Sequence, residues 1–74
     1  MQKLRKLGAN KTELTKDNGV IVFYSYQTPV AVFSNETGYI RTNVKYSVTT
    51  SKHINQWLDG VDCSLVDQAI IDQY

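Results

Sequence analysis

A chain of 74 residues allows one domain, spanning 1–74, and leaves little room for a deep pocket beside its core. With 42% hydrophobic and 20% charged residues, the composition is that of an ordinary globular domain, not of a disordered chain. The net charge of +1 hides an asymmetry: all eight basic residues lie in 1–58, whereas 59–74 carries four aspartates and no basic residue.

The first segment, Leu4 to Leu7, is short and basic, as suits an edge strand that must discourage further pairing. Gly8-Ala9-Asn10 breaks it, and Thr12 to Thr15 reads as a second strand with Thr12 and Leu14 on one face. Asp17-Asn18-Gly19 is the strongest local signal. Asn-Gly tolerates positive φ at both central positions of a two-residue hairpin. Val20 to Tyr26 begins apolar on both faces, the mark of a central strand. Pro29 lacks an N–H and extends Thr28, which predicts a corner at Gln27-Thr28-Pro29. Val30 to Phe33 follows as a buried strand, and Ser34 to Gly38 as a loop rich in turn formers. After Tyr39-Ile40-Arg41 and a turn at Thr42-Asn43, Val44, Tyr46 and Val48 alternate with polar residues, predicting a half-exposed strand.

The period then changes. Thr49, Thr50 and Ser51 are candidate N-caps for a helix whose apolar side is Ile54, Trp57 and Leu58, with Gly60 as its stop. Trp57 is expected to be mostly buried against strand residues such as Phe23, Val32 or Val48. Ser64 with Asp67 resembles a capping box ahead of a second helix over Leu65 to Ile71. The predicted fold is α+β: an antiparallel sheet of about five strands followed by two short C-terminal helices packed on one face or end of it.

Chemistry-bearing residues are sparse. One histidine and one cysteine cannot build a structural zinc site within one chain. The aspartates lack calcium-loop spacing, and no Gly-rich nucleotide motif occurs. No cofactor, metal or catalytic residue is expected. Cys63 with His53 suggests a nucleophile and base by residue type alone; the ordinary reading is a small buried cysteine and an exposed or capping histidine. A lone cysteine forms no internal disulfide, no apolar leader follows the basic start, and no apolar run reaches membrane-spanning length. A cytoplasmic protein with no membrane partner is therefore expected.

One corner stands out. Arg41 and Lys45, with Tyr39 and Tyr46, fall on two neighbouring predicted strands, and Thr50, Ser51, Lys52 and His53 follow at a helix start. Cations pair with phosphates and aromatic rings stack on bases, so this grouping predicts a nucleic-acid-binding surface. Tyr46 shares a face with Val44 and Val48, which reads equally as core. The acidic segment has two readings. Either it packs back and neutralises the basic sheet, or Asp62, Asp67 and Asp72 form a surface for a basic protein. A short sheet with uncovered edges also makes a homodimer an open possibility.

Four blocks carry a resemblance: Lys6 to Glu13, Tyr26 to Ala31, Gly38 to Thr42 and Lys45 to Leu58. Together, over residues 6–58, they resemble a family of small uncharacterised proteins encoded by tailed bacteriophages and related mobile elements. The resemblance assigns no residue a role. It implies a host bacterial cytoplasm and an accessory protein that contacts nucleic acid or a host protein. The leading expectation is a non-enzymatic nucleic-acid-binding protein. The alternative is an inhibitor that binds a host or anti-phage defence factor through its acidic segment or sheet surface.

Overall fold

The computed structural model describes residues 3–8 and 10–74. Five strands run as an antiparallel meander: β1 (Lys3–Gly8), β2 (Lys11–Thr15), β3 (Ile21–Ser25), β4 (Thr28–Ser34) and β5 (Gly38–Thr42). Helix α1 (Val48–Leu58) then carries the chain back along the sheet, β6 (Ser64–Val66) pairs parallel to β5, and α2 (Gln68–Asp72) follows. The expected α+β architecture is thus present, with a sixth strand added at the β5 edge. A parallel neighbour needs a crossover, and α1 supplies it.

The two helices take opposite faces of the sheet, not one. Val20, Val22, Val32, Ile40 and Ile71 form one apolar cluster, under α2. Phe23, Val30, Ala31, Ile54 and Leu58 form the other, under α1. Alternation along β3 sends Val22 to the first and Phe23 to the second, the two-sided burial expected of a central strand. Strand β4 departs from strict alternation. Phe23 pairs with Ala31 but Tyr24 pairs with Pro29, so one extra residue enters β4 and both Val30 and Ala31 turn toward α1.

Trp57 is half-buried in the α1 cluster, with its ring stacked on Phe23 at 5.2 Å and edge-on to Tyr39 at 5.7 Å. Its Nε1 donates to Glu13 Oε1 at 2.9 Å. Of its three expected neighbours only Phe23 is correct. Val32 lies on the α2 face, and Val48 is 75% exposed.

The predicted strand over Val44 to Thr49 does not form. Thr42 ends β5, its Oγ1 accepts the Val44 N–H at 3.2 Å, and the Asn43 N–H donates to Val66 O at 2.8 Å. The place beside β5 is taken by β6, so Val44 and Tyr46 stand on an irregular, exposed connection. The N-cap of α1 is Ser47, whose Oγ accepts the Thr50 N–H at 3.1 Å; Thr49, Thr50 and Ser51 already lie inside the helix. At its other end Asp59 takes the left-handed cap (φ 50°) and Gly60 continues it (φ 80°).

The second helix is shorter than predicted. Ser64, Leu65 and Val66 pair with Ile40, Arg41 and Thr42, because an open sheet edge satisfies their backbone groups better than an isolated turn of helix. The Ser64–Asp67 capping box is therefore absent. Asp67 is itself the N-cap of α2, without a side-chain capping bond.

The Asp17-Asn18-Gly19 hairpin forms with a different turn. Gly19 alone among these residues has positive φ (86°), the Gly19 N–H donates to Lys16 O, and the Val20 N–H donates to Asn18 Oδ1 at 3.1 Å. This is the loop in which a left-handed glycine forms a bulge after the turn. The β3–β4 corner falls at Tyr26-Gln27, one residue earlier than Pro29 suggested, and Pro29 lies within β4.

Candidate functional site

The meander fixes which loops share an end. Asn10, the Tyr26-Gln27 turn, the 43–47 connection and the N-termini of both helices lie at one end. The 16–20 and 35–37 turns, the 59–63 loop and Tyr74 lie at the other. Charge divides along this axis. Lys6, Lys11, Lys45, Lys52 and His53 belong to the first end, with Asp67 and, through its bond to Gln68, Asp72 as acids beside them; Asp17, Glu36, Asp59 and Asp62 belong to the second, with Lys3 and Lys16. The polarity in the sequence was between sheet and tail; in the fold it runs along the strands.

Three adjoining hollows mark the basic end. The central one, about 220 Å3, is lined by Ser25, Thr28, Val30, Ser47 and Thr50 with Tyr26 and Tyr46. Tyr26 and Thr28 also line a hollow of about 520 Å3 beside Lys6 and Asn10. Tyr46 and Ser47 also line one of about 330 Å3 beside Lys45 and Ser51. The shared walls make one trough, with a lysine in each outer hollow and a tyrosine between each outer hollow and the centre.

The floor is held by hydroxyl groups. Ser25, 2% exposed, hydrogen-bonds through its Oγ with Thr50 Oγ1 (3.2 Å) and with His53 Nδ1 (2.9 Å). Ser47 Oγ donates to the same Thr50 oxygen at 3.2 Å. These bonds pin the first turns of α1 to the end of β3 and fix the trough's shape. Tyr46 is held by a hydrogen bond from its Oη to Gln68 Oε1 (2.8 Å), and Gln68 Nε2 donates to Pro29 O (2.8 Å). A loop with little apolar burial is thereby tied to α2 and β4.

The structure brings together part of the predicted site. Lys45, Thr50 and Ser51 line the trough, His53 supports its floor from behind, and Lys52 is exposed on the adjoining turn of α1. Arg41 is engaged elsewhere: its Nη1 donates to Asn55 Oδ1 at 3.1 Å, and its Nε is buried without a partner. His53 is half-buried, not an exposed or capping residue, and Cys63 is exposed, not buried. Tyr46, which the alternation also read as core, is 46% exposed. The three aspartates of the acidic reading do not assemble into one surface. Asp67 accepts from Asn43 Nδ2 at the start of α2, Asp72 accepts from Gln68 at its end, and Asp62 is exposed in the 59–63 loop.

Sequence reasoning missed Tyr26, Lys6 and Asn10. The strand predicted over Val20 to Tyr26 ends one residue sooner, and Tyr26 occupies a left-handed turn position (φ 59°), which nothing in a tyrosine's identity signals. The Lys6 and Asn10 positions follow only from the β1–β2 register, which puts their turn beside the β3–β4 turn and lets the Tyr26 N–H donate to Asn10 O at 2.7 Å.

Among the described residues no group of three or more His, Cys, Asp and Glu is placed to hold a metal ion, and no helix is long and apolar enough to cross a membrane. Neither the curated proteins nor the solved structures give a match. A family match does exist, and it takes in the acidic segment that the sequence resemblance did not reach: over residues 2–73 the chain belongs to a family of unknown function (DUF8033).

Proposed function

We propose that this protein is a non-enzymatic module that binds nucleic acid at the basic end of its sheet, as a cytoplasmic accessory protein of the phage type suggested by the sequence. One observation carries the reading. The trough at that end has Lys6 in one outer hollow, Lys45 in the other and exposed tyrosines between, while most carboxylates lie at the far end. Lysines along a groove track a phosphate backbone by releasing its counterions, and this binding weakens steeply with salt. A bipolar charge distribution also orients the molecule as it approaches a polyanion.

The test is titration of labelled single- and double-stranded DNA and RNA at two salt concentrations. Binding that falls steeply with salt, and that falls further in the double variant Lys6→Glu/Lys45→Glu, is expected. Both lysines are exposed, so the variant should remain folded. Absence of binding at low salt would overturn the proposal.

A second reading rests on the opposite end. Glu36, Asp59 and Asp62 stand exposed on two loops there and would suit a basic protein surface, as an inhibitor of a host or defence factor requires. A lysate pull-down after nuclease treatment, with Glu36→Lys/Asp62→Lys as the control, tests it. A partner retained by the native chain and lost by the variant supports this reading; an empty pull-down sinks it.

A further inference from the structure

The basic end contains a residue choice that the fold does not explain: the two-residue link between β3 and β4 requires a positive φ at its first position, and a tyrosine stands there. Tyr26 has φ 59°, a left-handed backbone that crowds the Cβ of every residue except glycine. Such positions in tight turns usually fall to Gly, Asn or Asp. Burial of the ring gives no compensation, since Tyr26 is 50% exposed and its one aromatic neighbour, His53, is tilted 42° at 6.0 Å. A bulky residue kept at an unfavourable angle with its ring outside the core points to a task for the ring.

The surroundings name the task. Tyr26 lines the central hollow together with Tyr46, and the rest of that wall is Val30 and four hydroxyl-bearing residues, Ser25, Thr28, Ser47 and Thr50. At about 220 Å3 the hollow is smaller than the usual pocket for a drug-sized ligand and suits one flat ring. Aromatic walls with polar groups between them match a planar heterocycle that both stacks and hydrogen-bonds, which is the chemistry of a nucleobase. The outer hollows, with Lys6 on one side and Lys45 on the other, lie where the flanking phosphates would run.

We infer that the trough takes a single-stranded nucleic acid with one unpaired base seated in the central hollow against Tyr26 and Tyr46. This inference rests on the nucleic-acid reading above and adds strandedness and a base-contacting role for two residues. A duplex keeps its bases stacked and cannot supply that base, so it would engage only the lysines.

The experiment compares short single strands of DNA and of RNA, the same strands as hairpin duplexes, and an abasic single strand of equal length. Each is titrated by fluorescence anisotropy at low salt against the wild-type chain, Tyr26→Gly, Tyr46→Leu, Tyr46→Phe and Lys6→Glu/Lys45→Glu. Trp57 emission monitors folding. The expected result is tighter binding of at least one base-bearing single strand than of its duplex or the abasic strand. Tyr26→Gly and Tyr46→Leu should each weaken that binding by roughly 5- to 100-fold and leave duplex binding unchanged. Tyr46→Phe, which keeps the ring and loses only the Gln68 bond, should retain the preference. The lysine variant should weaken all probes together. A DNA-only or RNA-only preference identifies the sugar the trough accepts. Equal binding of the abasic and base-bearing strands, or a preference untouched in folded Tyr26→Gly and Tyr46→Leu, would overturn this inference and leave the electrostatic reading standing. Absence of binding to every probe would overturn both.

Discussion

The two faces of the sheet are built on different scales. The α1 face has a helix of 11 residues, Ile54 and Leu58 beneath it, and an aromatic group of Phe23, Trp57 and Tyr39. The α2 face has a helix of 5 residues that buries one side chain, Ile71, on a cluster of valines and Ile40, with Tyr24, Val66 and Tyr74 partly buried against it. A helix as short as α2 has almost no intrinsic stability, so its place depends on Ile71, on the packing of Val66 and Tyr74 either side of it, and on the Gln68 and Tyr74 bonds. The contrast assigns labour. The α1 face positions the trough and is expected to carry most of the stability, and the α2 face is expected to loosen first.

Removing the centre of the stronger face should have the largest effect. Phe23 is fully buried and stacks on Trp57, so Phe23→Ala should cost about 3–5 kcal/mol, most of the stability of a domain this small. Urea unfolding followed by Trp57 emission measures it, and a loss under about 1 kcal/mol would mean the α1 face is not the main core. Ile71→Ala should cost roughly 2–5 kcal/mol, but locally. Amides of α2 should exchange freely while β3 and α1 remain protected. Equal loss of protection on both faces would remove the distinction between them.

Trp57→Phe keeps a ring on Phe23 and deletes the bond to Glu13. The expected cost is about 1–2 kcal/mol by thermal or urea unfolding, and a neutral result would show that the β2–α1 bond adds nothing to the stronger face. Tyr26→Gly should be the smallest change and of opposite sign. It relieves a left-handed tyrosine and exchanges it for glycine's greater unfolded-state freedom, so stability should be unchanged or rise by up to about 1 kcal/mol. A loss greater than that would make Tyr26 a structural residue and weaken the case for its functional one.

Much of the fold was legible because local chemistry and tertiary need agreed. The Asp17-Asn18-Gly19 loop, the two-sided β3 strand and the helix around Ile54, Trp57 and Leu58 each formed where their residues direct. The errors fall where several alternatives satisfied the same local pattern. Val44, Tyr46 and Val48 alternate as a strand should, yet strand pairing at the β5 edge went to Ser64–Val66, whose own pattern suited a helix. For the proposed site, the grouping of Lys45, Thr50 and Ser51 was legible by adjacency in the sequence. Lys6 and Tyr26 were not, because they lie 39 and 19 residues before Lys45 and meet it only through the strand register.

The sequence by itself determined the elements whose stability is local or nearly so: the turns that glycine and asparagine permit, the buried centre of the meander, and an apolar helix face that had to find a sheet. Only the tertiary structure decided which segment closed the sheet edge, which face each helix took, and that Tyr26 would be held at a positive φ beside Tyr46. Those outcomes depend on competition between distant segments for the same backbone partners and the same apolar surface. Hydrophobic burial is non-directional, and an edge strand accepts any extended segment that reaches it, so the winner is fixed by the whole chain's geometry and not by the residues of either contender.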